Sequence, residues 1–481
     1  MRIDNRIYRR HGGTVAVALA ALMAGTCGSS AVTLSEAWTS AYTNNPQIMA
    51  ERARLRSVDE NLAIAQSGYR PTINGEIDYT LKSTSTEPPS PSDGTVLSRT
   101  YTLNATQPIY SGGQVVSAVY EADAAIRAER ENLRNIEQQV MLSVVTAYMN
   151  IVRDRAILDV RSNNVRVLTE ELRQVKARFD VGEVTRTDVE QARASLASSQ
   201  AALEAAKASL RISAAQYLQV VGQPANGLVE PPPPDRLLPG TVDEVIANAV
   251  AARPTVVQAA FLEKSSQYTI RRLTGQLLPQ FKLNGQLTST HDPNILTDSA
   301  SAATLTGQLI LPIYDAGDVR AQIRQAKEQR QGRLEDIEVA REQAEADATS
   351  AWSQLQSSRA QLTANNTGVQ AAQVALEGVR AELQVGQRTE LDVLNAEQTL
   401  LNAREALIVT KHDLVVNGYT VLATMGRLTA DYLQVAAPLY DVEAHYNDTN
   451  RKWWDIRVTR EEGYAGYAPS GDLRHDLLTG P

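Results

Sequence analysis

The chain repeats itself at an offset of about 204 residues, and a repeat of that period must be read before any single element. Phe179-Asp180-Val181-Gly182-Glu183-Val184-Thr185-Arg186-Thr187-Asp188-Val189 returns as Leu383-Gln384-Val385-Gly386-Gln387-Arg388-Thr389-Glu390-Leu391-Asp392-Val393, with Val, Gly, Thr, Asp and Val in step. Ala192, Leu196 and Gly222 keep register with Ala396, Leu400 and Gly426. Gln107-Pro108-Ile109-Tyr110 with Gly113 matches Leu311-Pro312-Ile313-Tyr314 with Gly317, so the duplication spans most of the chain.

Three Phe and an aromatic content of 5%, against abundant Ala, Gln, Glu, Arg and Leu, suit long helices better than a globular core. From about Gly113 to Arg178, and again from Gly317 to Leu383, no proline interrupts the helical pattern. A helix of roughly 65 residues runs about 100 Å and needs partners along its whole side, so the sequence predicts a coiled-coil assembly. Return helices are expected over 187–221 and 391–425. Between the long and return helices, Gly182 and Gly386 suit a left-handed helix end, while Thr185/Asp188 and Thr389/Asp392 have capping-box spacing. A plain helical hairpin turn would account for these residues.

Strand patterning sits ahead of each long helix. Ile73, Ile77, Tyr79 and Leu81 alternate with polar neighbours, as do Tyr101, Leu103 and Ala105, then Phe281, Leu283 and Leu287, then Leu305, Leu309 and Leu311. Four strands of about ten residues are predicted, near 72–82, 99–108, 281–290 and 303–312, with polar loops over 83–98 and 291–302. Paired hairpins on a soluble core would alternate in the same way. Strand length and apolar-outside, polar-inside alternation favour a barrel, yet four strands are too few to close one and an open edge is untenable in lipid, so an oligomer is required.

Arg2, Arg6, Arg9 and Arg10 precede an apolar run near 14–24 and Ser29-Ser30-Ala31, which reads as a cleavable export signal over 1–31. The apolar run is short for an uncleaved anchor, which takes roughly 20 residues. Cys27, the single cysteine, falls in this segment; Thr26 before it departs from the usual small residue preceding a lipidated cysteine. No later apolar stretch reads as a membrane helix. The remainder divides into a first repeat over 32–230, a stiff Pro-rich linker over 231–240, a second repeat over 241–428 and a variable C-terminal tail over 429–481 carrying Trp453 and Trp454.

A net charge of −8 without a basic block argues against nucleic acid. An enzyme is not indicated: there is no nucleophile elbow, phosphate-binding loop or His-Glu-x-x-His pair. His11, His291, His412, His445 and His475 are scattered, and His412-Asp413 are adjacent residues expected to point apart on a helix. No cofactor or metal is implied.

The repeat, the four strands and both Val-Gly loops together resemble the TolC-like outer-membrane efflux duct family, from Leu34-Ser35-Glu36-Ala37 and Asn45-Pro46 to about Leu428. The resemblance implies a mixed α/β membrane protein: a homotrimer whose pooled strands, four per chain, make one twelve-stranded β-barrel, continued through the periplasm by a long α-helical barrel. It implies an exit duct for drugs, small toxic compounds or secreted polypeptides, driven through a periplasmic adaptor by an inner-membrane pump of RND, ABC or MFS type. It also implies adaptor contacts at Val181, Gly182, Val385 and Gly386, and a gate at Asp188, Arg388 and Asp392. Leu383 stands where relatives carry Tyr, and Asn395 where they carry a second Asp. An Arg388–Asp188 ion pair tying the hairpins is expected, as is a cation-attracting ring of Asp392 carboxylates; helix capping accounts for both aspartates as well. The competing reading is a periplasmic coiled-coil structural protein without a pore.

Overall fold

The computed structural model describes residues 32–91 and 93–450. The export segment 1–31 and the Trp453/Trp454 pair lie outside the described residues. Helices α1 (Leu34–Asn44) and α2 (Pro46–Ser67) lead into strands β1 (Thr72–Thr84) and β2 (Gly94–Ser111), then into α3 (Gln114–Asp180) and α4 (Arg186–Val221). The order recurs as α5 (Val242–Ala252), α6 (Pro254–Gly275), β3 (Gln280–Asn294), β4 (Thr297–Ile310), α7 (Asp318–Gln384) and α8 (Glu390–Thr424). A last helix, α9 (Val442–Thr449), follows.

The offset between repeats is not constant. Leu34 and Val242, which begin α1 and α5, are 208 apart, whereas Gln114 and Asp318, which begin α3 and α7, are 204 apart. The change falls in the hairpins, because the first hairpin carries a loop over 85–93 and the second only Ile295 and Leu296. The strands exceed the expected ten residues, with 13, 18, 15 and 14. In particular, much of the polar stretch 291–302 is ladder rather than loop, with Ser289 paired to Ser301 and His291 to Ser299. Small hydroxyl side chains accept a strand as readily as a loop, so their polarity misleads.

The long helices α3 and α7 each have 67 residues, about 100 Å at 1.5 Å per residue. Where strands hand over to helices, Gly112 (φ 61°) and Gly275 cross closely: a Cβ on Gly112 would stand 2.2 Å from the Gly275 carbonyl oxygen. Only glycine permits that approach.

The main core lies midway along the helices, uniting Trp38, Tyr42, Val144, Tyr148, Ala348, Leu355, Tyr419 and Leu422. The Tyr148 hydroxyl donates to the carbonyls of Val32 and Val229 and accepts the Val229 N–H, pinning the start of the first repeat and the segment leading to the linker. Pro234 in the linker lies against Gly418 of α8. An apolar stretch over Val242–Gly275 is long enough to cross a membrane by length and composition, contrary to the sequence reading. It is broken at Arg253-Pro254 into α5 and α6, which pack on α7 and α3.

The chain after the second repeat also belongs to this body. Ala430 and Val435 join the main core, and α9 packs on α2. His412 and Asp413 do touch, at 2.8 Å, and His412 reaches Asn150 at 3.0 Å, so the histidine is a buried strut between α8 and α3. The short Asp side chain folds back onto its neighbour, which helical spacing alone does not anticipate.

Candidate functional site

The four strands form one antiparallel meander in the order β1-β2-β3-β4. Registers Ile73↔Ala105, Ala105↔Gly285 and Gly285↔Leu305 set one row, and Ile77↔Tyr101, Leu103↔Leu287 and Phe281↔Leu309 place the other apolar residues on the same face. The opposite face carries Asn74, Glu76, Asp78, Asn104, Gln286 and Thr306. Ile77, Tyr79, Leu81, Leu287, Leu305 and Leu309 remain exposed, Leu305 by 74%. The outer edges of β1 and β4 have no partner strand within the described residues. A sheet with an uncovered apolar face and two open edges is built to meet lipid on one side and further strands at its ends.

The opposite end of the molecule carries the two helical hairpin tips. Gly182 and Gly386 adopt φ of 81° and 77°, and a Cβ on either would meet open space. Val181 and Val385 beside them are 71% and 70% exposed. Thr185 accepts the Asp188 N–H while Asp188 accepts the Thr185 N–H at 2.8 Å, and Thr389 and Asp392 do the same. These bonds, first the Thr389 backbone and then its hydroxyl, hold the Asp392 carboxyl below the usual range.

Arg388 does not meet Asp188 within the chain. It donates from Nε to Glu382 at 2.7 Å, inside its own hairpin, and that carboxylate raises its pKa. Leu383 packs on the second hairpin's own apolar cluster of Leu376, Val393 and Leu400, and Asn395 is exposed on the wall of a cavity between α3, α4 and α8. The structure therefore brings together each Thr/Asp pair, but not Arg388 and Asp188.

A charged cluster that sequence patterning did not single out joins the hairpins instead. Arg178 of α3 pairs with Glu390, the first residue of α8, which is 5% exposed. Burial, with the nearby Glu390 carboxyl adding to it, raises the pKa of the Glu171 carboxyl two turns back on α3, and Arg380 of α7 pairs with Glu397. In the sequence Glu390 reads as an ordinary acidic residue of a first helical turn.

The chain matches the outer membrane efflux protein family over residues 38–223 and 245–427. It belongs to that family. Outer membrane efflux protein BepC of Brucella suis biovar 1 is 38% identical over 449 residues, covering 92% of this chain and 96% of BepC. Outer membrane protein TolC of Escherichia coli is 25% identical over 389 residues, covering 77% of this chain and 78% of TolC. In fold, the chain resembles the Campylobacter jejuni CmeC outer membrane channel with a TM-score of 0.73 at 17% identity, covering 93% of this chain and 98% of that one. As an outer membrane efflux protein of the TolC family, this chain is an outer-membrane exit duct that extends into the periplasm.

Proposed function

We propose that three copies of the chain close one twelve-stranded barrel, with β4 of each pairing β1 of the next, and that α3, α4, α7 and α8 continue it as a helical tunnel. The observation that carries this reading is the four-stranded meander with one exposed apolar face and both edges unpaired. Unpaired backbone groups cost several kcal/mol each in lipid, so such a sheet is stable there only when closed by further strands. The sparse burial of α7, whose buried residues are mainly Ala326, Ala344, Ala348, Ala351 and Leu355, leaves a long face for a neighbouring copy.

The duct would carry cargo delivered by an inner-membrane pump through a periplasmic adaptor docking at Val181-Gly182 and Val385-Gly386. The names of two further relatives, alkaline protease secretion protein AprF and pyoverdine export outer membrane protein OpmQ, cover a polypeptide and a small molecule. One tunnel accommodates both if the pump selects the cargo. Asp188, Arg388, Asp392, Asn395 and Leu383 lie on or near the two tips, where Asp392 carboxylates from three copies would favour cations.

The test is the current through the purified protein in a planar lipid bilayer under a salt gradient. Small, cation-selective steps are expected, and larger ones from Arg388→Ala. A folded trimer that passes no current, with or without that substitution, would instead favour the pore-free structural reading.

A further inference from the structure

Among the described residues paired in the ladder, Arg99 is the single arginine, lysine or carboxylate on the apolar face of the sheet. Residues two apart on a strand share a face, so Arg99 belongs with Tyr101 and Leu103. The register sets it in a row that crosses all four strands: Tyr79↔Arg99, Arg99↔His291 and His291↔Ser299. The His291 ring stands edge-on to Tyr101 with centroids 6.1 Å apart. Arg99 donates from Nη2 to Asp292 at 3.0 Å, and both side chains are nearly half exposed. An exposed pair of this kind holds weakly, and the guanidinium keeps further donors for a second anion.

The row also lies at a particular height. From Phe281, paired with Leu309, to His291, β3 climbs ten residues. That is roughly 34 Å along the strand at about 3.4 Å each, or about 24–28 Å of height at a barrel tilt of 35–45°. The outward apolar band of a barrel is about 25 Å tall. Arg99 and His291 therefore stand where acyl chains give way to headgroups, at the end of the sheet remote from the helices.

On the helix side of this row, a groove of about 780 Å³ crosses the same face. Ile77 and Tyr101 wall it toward the row, and Leu103 and Leu287 wall it on the other side. Gly75 and Ala303 leave its two ends low.

We propose that the groove and the row form a site for a phosphorylated lipid of the outer leaflet, with an acyl chain in the groove and the phosphate held by Arg99 and His291. The proposal rests on the barrel reading above. A guanidinium grips phosphate through paired donors, while the imidazole and the Tyr79 and Ser299 hydroxyls each supply one more. Cation and groove together set this patch apart from the rest of the lipid-facing surface, which offers a headgroup no charge.

The test is native mass spectrometry of the intact protein in detergent, with bisphosphorylated lipid A and the same lipid stripped of its phosphates as probes. Lipid A is expected to bind at one copy per chain, and loss of its phosphates to weaken binding by roughly tenfold or more. Arg99→Gln combined with His291→Gln should weaken lipid A to the same extent. A Cβ on Gly75 meets open space, so Gly75→Trp fills the groove without strain and should weaken both lipids alike. Lys82→Gln removes a cation from the polar face and should change neither. Gel filtration checks that each variant assembles as the parent does.

Equal retention of the two lipids, retention that survives loss of both Arg99 and His291, or a Gly75→Trp variant that binds as the parent does would overturn the site. If that same protein conducts in bilayers, the duct reading stands without it. A protein that neither assembles nor inserts into a bilayer would remove the duct reading and this site together.

Discussion

His445 of α9 lies 3.1 Å from Asp59 of α2, though 386 residues separate them, and both side chains are buried. Thr449 is fully buried one turn on, while Arg130 of α3 stacks on Tyr446 and pairs with Glu443 at 2.5 Å. The segment after the repeats clamps α2 to α3. Truncation from Asn447, harmless if the tail were loose, is therefore expected to lower stability, and His445→Ala to cost about 2 kcal/mol by leaving Asp59 buried without its partner. Thermal melts of the folded assembly measure both; an unchanged melting temperature after truncation would show that α9 is dispensable.

Glu137 accepts the Ala430 N–H at 2.6 Å, and burial raises its pKa. Its favourable contribution is complete below the ordinary carboxylate value and is lost as pH rises through the elevated folded one. Glu137→Gln keeps an acceptor and carries no charge, so its stability relative to the parent should grow between pH 5 and pH 8. Glu137→Leu strands the Ala430 N–H and should cost about 1–3 kcal/mol at either pH. Melting curves at the two pH values distinguish these outcomes.

The two faces of the sheet should respond oppositely to charge. Leu305 lies on the apolar face and its neighbour Thr304 on the polar one. Leu305→Lys is expected to lower barrel stability by about 2–4 kcal/mol if it lies near the bilayer midplane, and Thr304→Lys far less. Heat-resistant oligomer in membrane extracts is the readout. Equal losses would mean that the face has been misassigned.

Gly182 and Gly386 occupy left-handed backbone but have open space around the missing Cβ. A valine at either position strains only its own turn, by about 1–2 kcal/mol, and presents a branched side chain at the tip. Assembly should survive and adaptor docking should weaken. Crosslinking to the adaptor at parental levels would remove these loops from the docking surface.

Much of this architecture was legible because its causes are local. Gly182 needs a left-handed turn wherever the hairpin sits, and Thr185 with Asp188 caps a helix through residues three apart. Strand alternation likewise identified the face that Ile77, Tyr101 and Leu287 share, since period two is intrinsic to the pleat. Less legible were the ends of the strands: the stretch 291–302 read as a loop, although most of it is ladder, because hydroxyl residues serve both states.

The sequence by itself determined a duplicated chain of very long helices with two amphipathic hairpins, since repeat register, helix propensity and alternation are properties of neighbouring residues. Only the tertiary structure decided which charges meet. Arg388 turns to Glu382 rather than Asp188, Arg178 finds Glu390, and His445 returns to Asp59. Those pairings depend on the rotation and axial shift of one helix against another. Neither quantity is encoded in the spacing along a single helix.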